Sequence, residues 1–227
     1  MREASKTNLI RENSFAQTYL QGKVLDIGAG GDLICPWAQS FDVEDGDANY
    51  LDSYFQSQTF DVVHSSHSLE HMNDPVASIN RWWSLIKPNG YLIVVVPEEN
   101  LYEQGLWPSV FSNEHRSTYR LGGNTSWSPV SFEIRDLCQS LPSAVVISAK
   151  LQSNEYDHNL IFPKGLLPKK IKQPLKTFIS VVRRLPIIGE QLKDKILRAL
   201  VKYGYPYDQT QHRALAQIEI IVKKGAS

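Results

Sequence analysis

The chain has 227 residues, 42% of them hydrophobic and 21% charged, with 24 basic and 24 acidic side chains; this excludes a charge-rich disordered chain and a globally basic nucleic-acid binder. The longest uninterrupted apolar run, Tyr91 to Val96, is far short of the roughly 20 residues a bilayer span needs. The opening MREASKTNLIREN scatters charge where an export signal needs an apolar stretch, so a cytoplasmic location is expected.

In chain order, Asn8 to Leu20 reads as a covering helix and Lys23 to Ile27 as a buried strand that runs into glycines. Short strands follow at Ser40 to Val43, at Phe60 to His64 and at Tyr91 to Val96, the last β-branched enough to lie centrally with both faces covered. A helix between the last two is announced by Asp74 before Pro75 and ended by Lys87-Pro88-Asn89-Gly90, with Ile79, Trp82, Trp83 and Ile86 on its inner face. A helix near Ser131 to Gln139, a strand at Ala144 to Ala149 and a last strand at Ala216 to Val222 complete the series. This alternation predicts an α/β domain around a parallel sheet.

Between 161 and 204, 11 basic residues stand against only Glu190 and Asp194, a net charge of +9 that leaves −9 for the remainder. Leu192, Ile196, Leu197, Leu200 and Val201 recur there at helical spacing, and Pro163, Pro168, Pro174 and Pro186 divide the approach into pieces. The chain therefore reads as one domain, with a core of 21–160 and 205–227 and a basic helical insertion at 161–204. Such an insertion suits peripheral contact with an anionic membrane, or a solvated helix pair capping the core; no nucleic-acid partner is expected. Cys35 and Cys138 are too few for a disulfide framework.

The first chemical motif is Val24 to Asp32, VLDIGAGGD, in which glycine lets the chain turn sharply and approach a ligand closely. Counting from Gly28 gives Gly30 but then Leu33, so the dinucleotide fingerprint lacks its third glycine, and Asp26 places a negative group at the mouth. Next come Phe41-Asp42-Val43-Glu44, whose acid at a strand end can hold both hydroxyls of a ribose, and Gly46-Asp47-Ala48. Phe60 to His71 (FDVVHSSHSLEH), Asp74-Pro75 and Leu85 to Leu92 (LIKPNGYL) follow.

In this order and spacing these residues resemble the class I S-adenosylmethionine-dependent methyltransferases, in particular those whose third motif reads LEH followed by DP. The resemblance implies a Rossmann-like fold with a mostly parallel seven-stranded sheet and helices on both faces. It implies S-adenosylmethionine as cofactor, with Asp26, Gly28 and Gly30 around its methionine half, Asp42 on the ribose, Asp47 on the adenine amine, Ala48 against the ring and Ser65 near the methionine moiety. The third loop glycine of the family falls at Asp32 here, and only 14 residues separate Gly28 from Asp42, so the intervening helix must be short or irregular, with Glu44 the alternative ribose acid.

Methyl transfer needs donor and acceptor in line and, for a hydroxyl or ammonium acceptor, a base. His115, in the loop that covers the acceptor pocket of the resembling fold, is the first candidate and His67 the second, with His64, Glu70 and His71 nearby. His67, Glu70 and His71 also have metal-ligand types at close spacing, yet an EH pair here is expected to be structural, so no metal is assigned. Trp107, Phe111, Tyr119 and Trp127 in a polar loop region suit a sugar face or a flat ring. The expected reaction is O-methylation of a sugar in a cell-surface glycan or its lipid-linked precursor. The alternatives are another small-molecule acceptor, phenolic or amine, or a non-catalytic cofactor-binding adaptor that uses the basic surface.

Overall fold

In the computed structural model, residues 3–160, 174, 175, 177, 179, 180, 189–211 and 213–226 are described. Contacts divide the chain into two compact units, one of residues 1–155 with 212–227 and one of residues 156–211. The first unit holds helices α1 (Glu3–Asn8), α2 (Phe15–Tyr19), α3 (Pro75–Ser84) and α4 (Ile134–Gln139). Its strands are β1 (Val24–Ile27), β2 (Gln39–Phe41), β3 (Phe60–Ser66), β4 (Ile86–Pro97), β5 (Thr118–Arg120), β6 (Ser131–Glu133), β7 (Ala144–Gln152) and β8 (Gln217–Lys224).

Among the described residues the main sheet has six strands, in the order β2-β1-β3-β4-β8-β7, where seven were expected. Strands β1 to β4 pair in parallel, and β8 runs antiparallel to both β4 and β7, so β8 alone is reversed. Two further strands, β5 and β6, pair in parallel with each other as a separate two-stranded sheet. The period-two alternation of a doubly covered sheet is visible residue by residue. Leu25, Val63, Leu92, Val94, Ile220 and Val222 join the larger core with Trp82, Trp83 and Leu137. Val24, Val62, Ile93 and Ile221 pack on the other face with Leu20, Ile34 and Phe15.

Helix α3 begins as its sequence predicts: the Asp74 carboxylate accepts the Ala77 N–H at 3.0 Å, Pro75 occupies the first turn, and Ile79, Trp82 and Trp83 are buried. It stops at Ser84, and the Lys87-Pro88-Asn89-Gly90 segment belongs to β4 as a bulge that shifts the register against β3.

Three other expectations are corrected. Of the covering helix expected at 8–20 only α2 forms, while α1 ends at Asn8; between them Arg11 bonds Glu219 and lies over the Phe15 ring. The helix expected from Ser131 starts at Ile134, because Ser131–Glu133 pair with β5 and Glu133 then caps α4 by accepting the Asp136 N–H. Among the described residues no helix forms between 28 and 38, and β2 ends at Phe41, so Asp42 stands just past a strand.

The second unit contains α5 (Gly189–Val201), in which Arg198 bonds Asp194 at 2.8 Å and Asp157 at 3.3 Å. The expected insertion 161–204 lies largely outside the described residues. No described helix is long and apolar enough to cross a membrane.

Candidate active site

Two adjoining cavities open at the C-terminal edge of β1, β2 and β3, where loops leave a parallel sheet and ligands of such folds bind. The first, about 480 Å³, is lined by Glu3 and Ala4 of α1, by the 28–32 loop and by Asp26, Asp42, Ser66 and His67. The second, about 570 Å³, continues from Gly28 and Asp42 past Phe41, Val43, Asp47, Ala48 and Asn49 to His71, Met72 and Glu114. Gly28, Asp42 and His67 border both.

Each wall follows from local chemistry. Gly28 adopts φ +71° as β1 turns away, and its N–H donates to the Phe41 carbonyl at 2.8 Å. Asp42 accepts the Val43 N–H at 2.8 Å through one oxygen and the Gly30 N–H at 2.6 Å through the other, so this acid braces the glycine loop. Asp47 is exposed and caps the one-turn helix Ala48–Ser53, accepting from the Asn49 N–H and amide. That turn is held by α3: Trp82 Nε1–H donates to the Ala48 carbonyl at 2.8 Å, and Arg81 donates to the Asn49 carbonyl at 2.9 Å. Glu44 is exposed and borders neither cavity.

Helix α1 closes the first cavity. Ser5 bonds the Asp32 carboxylate through both its N–H and its hydroxyl, and Asn8 donates to the Ile34 carbonyl. Thr7 accepts from the buried Gln217 amide at 2.8 Å. The same Gln217 donates to Gln152 and accepts from His67 Nε2 at 3.0 Å, which joins α1, β7, β8 and the cavity wall at one side chain.

The site differs from the sequence reading at several residues. Asp26 is buried rather than exposed at a mouth, because one oxygen accepts the Ile34 N–H at 2.6 Å and the other accepts His64 Nδ1–H at 2.6 Å. Its negative charge is thereby spent on shaping the loop. Strand β3 runs on to Ser66, and it is Ser66, one residue beyond the expected Ser65, that borders the first cavity; Ser65 is wholly buried. His67, φ +54°, lies 3.4 Å from Glu70 and 4.0 Å from Glu3. Burial depresses its pKa, but the Glu70 hydrogen bond and charge, aided by Glu3 and Gln217, outweigh that and raise it to about 9. His67 is therefore a cation at neutral pH, the wrong form for a general base. His115 borders neither cavity: it stands behind His71, with ring centroids 5.0 Å apart, and its Nδ1 bonds Glu103 at 2.7 Å.

The turn Leu69–His71 and the 115–119 segment are fastened together. The Glu70 carbonyl accepts the Arg116 N–H at 2.7 Å, and the Leu69 carbonyl accepts the Tyr119 hydroxyl at 3.1 Å. Sequence reasoning missed Val43, which is 88% exposed beside Asp42, together with Met72 and Glu103. An apolar side chain left in water next to two acids was the available signal for Val43. The aromatics expected to face an acceptor divide: Tyr119 is fully buried, while Trp127 is 39% exposed and donates to Asn100 at 3.0 Å.

A protein-family model described as a methyltransferase domain matches residues 5–123, more than half of the chain. Among solved structures, a SAM-dependent methyltransferase from Archaeoglobus fulgidus is similar at 15% identity, with 99% of this chain and 95% of that chain covered and a TM-score of 0.52. The YcgJ protein from Bacillus subtilis is similar at 12% identity, covering 99% and 100% of the two chains with a TM-score of 0.49. No curated protein matches this sequence.

Proposed function

We propose that this chain, which belongs to the methyltransferase-domain family, uses S-adenosylmethionine to methylate a hydroxyl of a small-molecule acceptor, specifically a sugar of a cell-surface glycan or its lipid-linked precursor. The observation that carries the reading is the pair of cavities meeting at Gly28 and Asp42. Together they offer an elongated trough with acids at Asp42 and Asp47, a backbone without Cβ at Gly28 and Gly30, and an apolar patch at Phe41, Val43 and Met72.

These residues fit the cofactor. Asp42, tied to the glycine loop, takes the ribose hydroxyls, and Asp47 with the Ala48 turn takes the adenine edge, where Val43 and Met72 supply apolar contact. The glycine loop, Ser66 and the α1 residues Glu3 and Ala4 enclose the methionine end, with Ser65 supporting it from within β3. Asp26 acts one layer back by holding the Ile34 backbone that shapes the loop. When bound, the cofactor supplies a methyl group already activated by its sulfonium.

The protein's tasks are then alignment, exclusion of water and proton removal. Helix α1 shields the methionine end through Ser5 and Thr7. On the far side of His67, the acceptor proton leaves toward the cluster of Glu70, His71 and His115, of which His71 borders the cavity and His115 is the inner member, oriented by Glu103. The half-buried Trp107 and Phe111 with the exposed Trp127 offer flat faces of the kind a sugar ring stacks on, which supports a sugar acceptor.

Calorimetric titration with S-adenosylmethionine and S-adenosylhomocysteine tests the cofactor, and an acceptor screen with labelled methyl donor tests the substrate. Binding to wild type that is lost in Asp42→Ala, with label entering hydroxyl-bearing glycans, is expected. Absence of binding removes the cofactor reading, and label entering only amines or phenols removes the sugar.

The +9 charge of 161–204 supports a second element of the proposal, docking of that segment on an anionic membrane surface. Cosedimentation with phosphatidylglycerol vesicles but not with neutral phosphatidylcholine vesicles is expected; equal binding to both removes it.

A further inference from the structure

Glu70 is fully buried, and no contact of good hydrogen-bond geometry reaches either carboxylate oxygen among the described residues; the nearest group is His67 Nδ1, long at 3.4 Å from Oε1, which supplies charge but leaves Oε2 unmatched. A carboxylate removed from water without hydrogen bonds is costly, and proteins compensate it with charge or a metal ion. Around it stand imidazoles: His71 Nε2 and His115 Nε2 each lie 4.0 Å from Glu70 Oε1. One ligand atom from each of Glu70, His71 and His115 falls within 4.8 Å of the others. His71 Nδ1 and Glu103 Oε2 are likewise buried without a hydrogen-bond partner.

The arrangement at His115 is informative about direction. Its Nδ1 lies 2.7 Å from Glu103 Oε1, and that buried carboxylate fixes the orientation of the ring. Its Nε2 is thereby turned toward Glu70, 4.0 Å from Oε1. A carboxylate behind a ligating imidazole is the usual outer partner of a metal-bound histidine, since it fixes the tautomer and raises ligand basicity. The scaffold is also rigid: the Arg116 N–H to Glu70 carbonyl and Tyr119 hydroxyl to Leu69 carbonyl bonds hold the two ligand-bearing segments in register.

We propose that Glu70, His71 and His115 bind one divalent transition-metal ion, with Glu103 orienting His115. Metal–ligand bonds of about 2.1 Å in tetrahedral geometry place ligand atoms about 3.4 Å apart, so the separations, 4.0 Å from Glu70 and all within 4.8 Å, close by about 0.6 to 1.4 Å on binding. Two imidazoles and one carboxylate select a borderline ion of the zinc, cobalt, manganese or iron(II) kind over magnesium or calcium, which take oxygen ligands. Three protein ligands leave a position open, and His71 borders the second cavity, so that position is placed to take an oxygen of a bound small molecule. That last consequence rests on the methyl-transfer reading, with the three side chains then acting as ligands in place of the proton-accepting role of the free cluster; ion binding does not rest on it. The set also differs from the one spacing suggested: His67 bonds Gln217 through Nε2 and stands beside Glu70 through Nδ1, and it is His115, distant in sequence, whose ligand atom groups with those of Glu70 and His71.

The test is titration of the metal-stripped full-length protein with Zn²⁺ by calorimetry and with Co²⁺ by visible absorption, without methyl donor or acceptor. One ion per chain is expected, with cobalt d–d bands and an upward shift of the unfolding midpoint. Affinity should fall at least tenfold in His71→Ala and in Glu70→Gln, and about 10- to 100-fold in Glu103→Gln through loss of the orienting bond. His71 is half-exposed, so His71→Ala keeps the test open should the buried variants unfold. Absence of ion binding to wild type, or binding undiminished in both His71→Ala and Glu70→Gln, overturns the proposal. Either outcome is independent of the donor titration above.

Discussion

A Cβ built on Gly28 would lie 2.1 Å from the Ser68 hydroxyl oxygen, which itself donates to the Ile27 carbonyl at 3.1 Å. The strand carrying the glycine loop and the turn carrying the LEH residues thus approach each other to the limit a backbone allows. Gly28→Ala would both strain a φ of +71° and displace Ser68 from its bond. A stability loss of about 1–2 kcal/mol is expected from the left-handed conformation and the contact. Binding of S-adenosylhomocysteine, measured by calorimetry, should fall at least tenfold, and adding Ser68→Gly should restore part of the stability while leaving the backbone strain.

Asp26 and Asp42 should separate stability from binding. Asp26→Ala strands the Ile34 N–H and the His64 Nδ1–H in the interior, and at about 1–3 kcal/mol for each the expected loss is about 2–6 kcal/mol in urea unfolding. Asp42→Ala removes the partner of two amides on exposed residues, Gly30 and Val43, and should cost about 1 kcal/mol or less, yet reduce donor affinity at least tenfold. Equal stability losses would contradict the layered roles given to the two acids.

Trp82 touches the site only through its indole N–H, which holds the Ala48 carbonyl at 2.8 Å. Trp82→Phe keeps most of the buried ring, leaves that carbonyl unmatched and reduces packing, for a cost of about 1–3 kcal/mol. The Ala48–Ser53 turn should loosen, and donor affinity should fall a few-fold although no ligand contact is altered. Hydrogen exchange of the 47–54 amides checks the route: unchanged protection would mean that the turn does not depend on Trp82.

Asp61 gives a pH dependence whose sign can be worked out. Burial works to raise its pKa, but the Lys87 ammonium at 2.8 Å and the Lys23 N–H at 2.8 Å outweigh it and hold the carboxyl below its ordinary value. A folded-state value below the unfolded one contributes stability that is fully present above the unfolded pKa, about 3.9, and is lost as pH falls through the folded value. Both partners are more than one-third exposed, so solvent screening limits the contribution to less than about 1 kcal/mol. Asp61→Asn should therefore be slightly less stable than wild type at pH 7, and the two should converge below about pH 3. A gap persisting at low pH in urea melts would exclude this origin.

Much of the sheet was legible because its signals are local. Tyr91 to Val96 could only be a strand buried on both faces, and Asp74-Pro75 could only open a helix. The glycine loop and Asp42 were readable for the same reason, each lying within a few residues of a strand end. Side chains whose neighbours come from distant sequence were not. Asp26 looks like an exposed acid until His64, 38 residues later, is placed against it. His115 looks like a loop histidine until Glu103 and Glu70 surround it, and His67 looks neutral until Glu70 and Glu3 are seen beside it. The absent helix between β1 and β2 had one trace in the sequence, the 14-residue interval from Gly28 to Asp42, too short for a full turn-helix-turn excursion.

The reversed strand β8 has a kinetic consequence. It follows every other strand in the chain yet occupies the position between β4 and β7, so β7 has no neighbour in the sheet until residues 217–224 have been synthesised. During translation the apolar edge of β4, Leu92 to Val96, waits unpaired for as long as it takes to add more than a hundred further residues, on the order of ten seconds. That interval is the period in which a nascent chain of this topology is most exposed to edge-to-edge association, and in which a chaperone has most to protect.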